Sequence, residues 1–231
     1  MLDWRRVMAR RNYGQACSIA GALDRIGERW SLLIVRQLLL GPQRFSDVVR
    51  GVGNAPTDVI TKRLRDMEAD GIIRRRDLPP PAAATVYELT EVGRELERPL
   101  LELGRWGMNF FRIEQVDEIE SAWLPSSLRM ILQPPADVSM SVQLRSEGQA
   151  FLLRIDDGWI GAERGEAHSP DLTLEGSPRD VLAVLIAGDD AVGDAVVEGE
   201  SEALIALRSM VVLPERLHDD ALSAATGAPA T

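Results

Sequence analysis

The sequence predicts two domains of different class, a mainly α domain that carries a two-stranded ribbon and an α+β domain behind it. Three observations carry this. Apolar residues recur at helical spacing through Ala16–Val52 and Thr57–Asp70, whereas from Val138 onward they alternate with polar ones at a period of two. The charge changes sign between the halves: residues 1–112 hold 19 Lys and Arg against 14 Asp and Glu, and residues 113–231 hold 7 against 22, within a net charge of −10. The 231 residues, 45% hydrophobic and 27% charged, suffice for two cores without metal or disulfide and exclude a fibrous or wholly disordered chain.

In the first half, Ile19, Leu23, Ile26 and Trp30 form one stripe of a helix over Ala16–Trp30. Leu32–Leu40 is nearly all apolar and reads as a central buried helix, stopped by Gly41-Pro42. A short helix over Phe45–Val52 and a turn at Gly53-Asn54-Ala55-Pro56 follow. In Thr57–Asp70, Ile60, Leu64 and Met67 share a packed face, while Thr57, Asp58, Thr61, Lys62 and Arg65 project away from it. Ile72–Asp77 and Val86–Leu89 are strands around a proline-rich tip, and they carry Arg74, Arg75 and Arg76. Thr90 caps a long helix with Val92, Leu96, Leu100, Leu103 and Trp106 on one face.

Helix, turn, helix and ribbon in this order make a mainly α winged helix-turn-helix domain, and its chemistry suits double-stranded DNA. A helix fits the major groove, and cationic side chains reach phosphates and base edges. The candidate DNA-binding residues are Arg44, Thr57, Asp58, Thr61, Lys62, Arg63, Arg65, Arg74, Arg75 and Arg76. The competing reading of the arginines is a solvated edge strand.

The second half opens at Trp123-Leu124-Pro125, with a helical turn or two at Leu128–Leu132. Val138, Met140, Val142 and Leu144 alternate with Ser139, Ser141, Gln143 and Arg145, the pattern of a half-buried strand. Gln149–Ile155, Trp159–Arg164 and Asp171–Glu175 continue a run of antiparallel strands, with Glu147-Gly148 and Asp157-Gly158 as tight turns. Ser177-Pro178-Arg179-Asp180 is a capping box for a helix with Val181, Leu182, Leu185 and Ile186 inward. A short strand at Val196–Gly199 and a helix through Leu204, Leu207 and Val211 complete the domain. The domains therefore span 1–112 and 126–215, with a junction at 113–125 and a disordered tail over 216–231.

The blocks Cys17–Trp30, Leu38–Ser46, Arg63–Gly71 and Tyr87–Thr90 resemble the HxlR-type winged helix regulators over about residues 16–107. The resemblance implies a bacterial transcription factor acting as a homodimer on an inverted repeat, with the N-terminal and long fifth helices at the dimer contact and Thr57–Arg65 in the groove. The family usually has a hydroxyl residue where Ala55 stands, which moves the helix cap to Asn54. The blocks Leu172–Gly176 and Val197–Glu200 resemble the sterol carrier protein type 2 fold over about residues 126–213. That resemblance implies an α+β sterol-carrier-like domain with a cavity for an apolar or acyl ligand, serving as an effector. Met140, Val142, Leu153, Trp159, Leu174, Leu182, Leu185 and Ile186 are its candidate lining, and periodicity leaves a lined pocket and a solid core equally open. The alternative for the whole chain is a lipid carrier whose winged helix makes protein contacts.

Catalysis has little support, because His168 and His218 are the only histidines and no nucleophile, zinc or phosphate-loop motif occurs. Asp156-Asp157, Asp189-Asp190 and Asp219-Asp220 read as turn formers, so neither metal nor cofactor is expected. Cys17, the sole cysteine, reads as a small packed residue, with a bridge to a second copy as the remaining option. No apolar run nears the ~20 residues of a membrane span, and charges interrupt any signal-like segment, so a cytoplasmic place is expected.

Overall fold

The computed structural model describes residues 12–111, 119–186, 194–214 and 217. The chain divides into two compact units between Glu97 and Arg98.

In the first unit, α1 (Ser18–Ile26), α2 (Ser31–Leu38), β1 (Gln43–Arg44), α3 (Phe45–Val52) and α4 (Thr57–Ala69) lead into β2 (Ile73–Asp77), β3 (Thr85–Leu89) and the short α5 (Glu91–Arg94). The sheet is antiparallel with order β1-β3-β2. Strand β1 is an addition to the expected ribbon. Its two residues give no periodic signal, and only the pairing of Gln43 with Tyr87 and Arg44 with Val86 defines it. Ile34, Val35 and Leu38 of α2 meet Val48 and Val52 of α3, Ile60, Leu64 and Met67 of α4, and Ile72, Ile73 and Leu89.

Two expectations about helices need correction. The first helix stops at Ile26, four residues before Trp30, and Trp30 takes a left-handed φ of 80° at the entry to α2. Trp30 packs against the core, but Ile19 is 71% and Leu23 43% exposed, so much of the stripe is not buried in this chain. The long helix after Thr90 also breaks, at Glu95-Leu96, before α6 (Glu97–Gly107) begins. Pro99 explains the interruption: it has no N–H for the Glu95 carbonyl, and its ring crowds that carbonyl in a continuous helix. The Thr90 cap is as expected, its Oγ1 accepting the Gly93 N–H at 3.1 Å.

In the second unit, α6 is tied to α7 (Leu124–Ile131). Gly104 lies against Met130, and Arg105 donates through Nε and Nη2 to the Met130 and Arg129 carbonyls at 3.2 Å each. A guanidinium thus satisfies carbonyls of the last turn of a helix. These contacts draw α6 into the second unit, whereas the sequence groups residues up to 112 with the first.

The second sheet comprises β4 (Met140–Ser146), β5 (Gln149–Asp156), β6 (Trp159–Arg164), β7 (Leu172–Glu175) and β8 (Val196–Gly199), in the order β6-β5-β4-β7-β8. α8 (Pro178–Ile186) and α9 (Ser201–Ser209) follow β7 and β8. β4 starts at Met140 and not at Val138, whose N–H closes a turn on Pro135. β7 runs parallel to β4, unlike the successive antiparallel strands the alternation suggests. The crossing segment after β6 lies over the sheet, where Gln143 holds it, so Gln143 is fully buried although period two places it on the solvent side. Both tight turns are as expected: Glu147-Gly148 and Asp157-Gly158 have positive φ at both residues, which matches the right-handed strand twist. One arm of the capping box is present, the Asp180 N–H donating to Ser177 Oγ at 3.2 Å, while Asp180 Oδ2 accepts the Ser177 hydroxyl at 2.6 Å rather than its backbone N–H. The expected tail over 216–231 lies outside the described residues, apart from Leu217.

Candidate nucleic-acid interface

α4 begins at Pro56, which stands at the N-cap with extended backbone, and no side chain caps the helix. The cap expected from Asn54 is therefore absent. Ile60, Leu64 and Met67 bury one face, and Thr57, Asp58, Lys62 and Arg65 are exposed on the other. Thr61 is half-buried, its hydroxyl donating to the Thr57 carbonyl at 2.8 Å. Among the described residues Lys62 and Arg65 have no ion-pair partner. Arg63 differs: it is only 7% exposed and pairs with Asp66 at 2.8 Å, one turn along the same helix.

The three arginines of β2 divide between two faces, as alternation along a strand requires. Arg74 stands opposite Glu88 on β3, and Arg76 opposite Val86. Arg74 Nε donates to Glu88 Oε1 at 2.7 Å and Arg76 Nε to Oε2 at 3.0 Å. Glu88 is only 5% exposed. Burial alone would raise its carboxyl, but the hydrogen bonds and charges of Arg74 and Arg76 outweigh it and hold the group below the ordinary carboxylate range. On the other face Arg75 grips Glu68 of α4 through Nε and Nη2 at 2.9 Å each, and that hydrogen-bonded partner raises its own pKa. Arg44 lies opposite Val86, on the face of Arg74 and Arg76, and reaches the Ala82 carbonyl at 3.4 Å.

The structure thus gathers Arg44, Arg74, Arg75 and Arg76 on one small sheet and leaves Thr57, Asp58, Lys62 and Arg65 on the outer side of α4. The sequence reading missed the two acids that hold the ribbon, Glu68 and Glu88. A hairpin register would have found Glu88, because it sits directly across from Arg74.

In the second unit, Met140, Val142, Leu153, Leu174 and Leu185 are buried, and Leu182, Ile186 and Trp159 are half-buried. Val142 stands beside Leu153 on one side and Leu172 on the other, and Leu144 beside Leu174, all on one sheet face. A separate open cleft of about 340 Å³ is lined by residues including Leu101, Arg105, Arg129, Leu132 and Trp159. Of the eight candidate lining residues it includes Trp159 alone. Arg98 and Arg129 lie over the Trp159 ring at 5.1 and 5.4 Å from its centroid.

Cys17 is exposed at the N-cap of α1, which corrects the expectation of a packed side chain: Ala20 is the residue of the first turn that turns inward, and Cys17, Ser18 and Ile19 are exposed. His168 is exposed. Asp156 ends β5 and Asp157 lies in the β5–β6 turn, and no three His, Cys, Asp or Glu side chains gather as a metal site among the described residues. His218, Asp189-Asp190 and Asp219-Asp220 lie outside the described residues. No described helix is long and apolar enough to cross a membrane.

Residues 25–115 match the HxlR-like helix-turn-helix family. An HTH-type transcriptional regulator of Bacillus subtilis, YvaP, is 36% identical over 85 residues, 37% of this chain and 79% of the relative. A second from the same organism, YdeP, is 31% identical over 111 residues, covering 47% and 83%. A third, YtcD, is 38% identical over 95 residues, covering 40% and 73%.

Proposed function

Because this chain belongs, through residues 25–115, to the HxlR-like helix-turn-helix family, we propose that it is a DNA-binding transcriptional regulator. α4 enters the major groove with Thr57, Asp58, Thr61, Lys62 and Arg65 toward bases and phosphates, and Arg44, Arg74, Arg75 and Arg76 follow the backbone beside it. The observation that carries this reading is the exposed, unpaired Lys62 and Arg65 on the outer face of a helix next to a sheet with four arginines, in a chain of net charge −10. A merely solvated surface would not concentrate cations against the charge of the whole chain.

The protein acts in the cytoplasm as a homodimer on an inverted repeat. Exposed Ile19 and Leu23 on α1 support a second copy, since they offer apolar surface that a partner helix would cover. The second unit is the effector domain, of the sterol carrier type. Its five-stranded sheet with an apolar face supports that reading, and an acyl ligand entering between sheet and helices has to part the close packing of Met140, Val142, Leu153 and Leu174.

Binding to a duplex from the protein's own promoter region, measured between 50 and 200 mM salt, tests the main claim. Affinity is expected to fall steeply, and Lys62→Ala to lower the slope by about one. A wild-type protein that ignores the duplex at low salt, or binds it without salt dependence, refutes it. For the effector role, palmitate is expected to raise the melting temperature, and an unmoved transition counts against it.

A further inference from the structure

We propose that Glu88 is a positioning residue for DNA, one that aims Arg74 and Arg76 as a two-pronged clamp on adjacent backbone phosphates. The proposal rests on the DNA-binding reading and adds to it how the ribbon engages the duplex.

The geometry points to this through the choice of nitrogen. Glu88 takes one donor from each arginine, Nε in both cases, and spends one carboxylate oxygen on each. A guanidinium has five N–H donors, so each arginine keeps its two terminal amino groups, four donors in all, for another partner. Those groups have no partner among the described residues, and the Arg74 and Arg76 side chains are well exposed while the Glu88 side chain is not. Arg75 shows the contrasting arrangement. It gives Nε and Nη2 together to Glu68, which occupies one whole edge of its fork.

The register makes the clamp a property of the fold. Arg74 faces Glu88 directly across the ladder, and Arg76, two residues on, reaches it diagonally on the same face. Two residues of extended chain separate the arginines by about 6.6 Å, and one buried carboxylate fixes both side chains at the stem. An arginine ordinarily loses much rotamer freedom on docking, and here that loss is met on folding, before DNA arrives. The net charge of the trio is still +1, so the clamp attracts phosphate.

Simple electrostatics and positioning give opposite signs, which makes the test decisive. Removing a negative charge beside two arginines should tighten binding to a polyanion if Glu88 acts only through its charge. If it positions them, Glu88→Gln weakens binding roughly fivefold at 50 mM salt and lowers the salt slope by about one to two. In an Arg74→Ala/Arg76→Ala background the same substitution has nothing left to position, and affinity stays level or rises. Arg74→Lys supplies a variant on an exposed side chain: it keeps the charge and loses the planar fork, and is expected to weaken binding. Wild-type binding is measured alongside, because its absence would refute the DNA-binding reading itself. Wild-type binding with an unchanged or tighter Glu88→Gln complex, an unchanged Arg74→Lys complex, or an equal loss in the double-variant background overturns the clamp alone.

Discussion

The side-chain carbonyl of Gln143 accepts the backbone N–H of Ala167 at 2.7 Å, joining the middle strand of the second sheet to the segment that crosses over it. The amide of the same side chain donates to the Phe151 and Gly165 carbonyls at 3.0 and 3.1 Å. A side chain that alternation assigns to solvent therefore satisfies three backbone groups under a loop.

Gln143→Leu should remove these bonds and leave buried backbone groups unpaired, at about 2–3 kcal/mol. Chemical denaturation of the whole protein measures the loss. Limited proteolysis should show new cleavage between Gly165 and Pro170, and an unchanged digestion pattern would refute the clasp.

Asp171 contributes to stability in acid, as does Glu88. The Ser141 backbone N–H and then its hydroxyl donate to Asp171 Oδ2 at 2.7 and 2.8 Å, holding the carboxyl below its ordinary value of 3.8. A carboxyl lowered by folding contributes stability that is fully present above the unfolded value and is lost as pH falls through the folded one. Stability should therefore decline below about pH 4. Asp171→Asn should make this decline shallower, leaving the part that Glu88 carries, while lowering stability at neutral pH, and an acid decline as steep as in wild type would contradict the assignment.

Two glycines should respond oppositely to alanine. A Cβ on Gly93 would stand 2.1 Å from the Ile72 carbonyl oxygen, so Gly93→Ala forces α5 off the ribbon and should cost about 2 kcal/mol or more. A Cβ on Gly21 in α1 meets nothing, so Gly21→Ala should add about 0.5–1 kcal/mol through helix propensity and the unfolded chain. Thermal melts of both variants, read as the order of their midpoints around wild type, decide the matter.

Arg63 and Arg65 are neighbours in sequence with different expected roles. Arg63→Ala should lower the melting temperature and leave the salt slope of DNA binding unchanged, since its guanidinium is buried on Asp66. Arg65→Ala should lower the slope by about one and leave the melting temperature within a degree or two. The reverse assignment of effects would show that α4 meets DNA through another face.

Much of this was legible from residue spacing. Ile60, Leu64 and Met67 mark the inner face of α4, and the positive-φ pairs Glu147-Gly148 and Asp157-Gly158 mark their hairpins, because local chemistry decides both. The failures share a different cause. Arg63 sits at the margin of the α4 stripe, where a neighbouring Asp66 rather than periodicity decides whether a cation turns inward. Gln143 is buried by a segment more than twenty residues away, and the parallel placement of β7 depends on that same segment. No local spacing singles out Glu68 or Glu88, because strand register and helix packing bring them to the arginines. Pro99 was visible throughout, and its effect on the long helix follows from its ring alone.

The parallel pairing of β4 with β7 has a bearing on how the second unit is made. β4, β5 and β6 are successive hairpins whose partners are close in the chain, so they can assemble within microseconds to milliseconds of synthesis. β7 finds its place beside β4 only after the intervening meander is complete, and β8 has no edge to join until then. On a ribosome, the outer half of this sheet would stay unsatisfied until the C-terminal segments emerge, and that interval is when the apolar face of β4 is most exposed to capture by other chains.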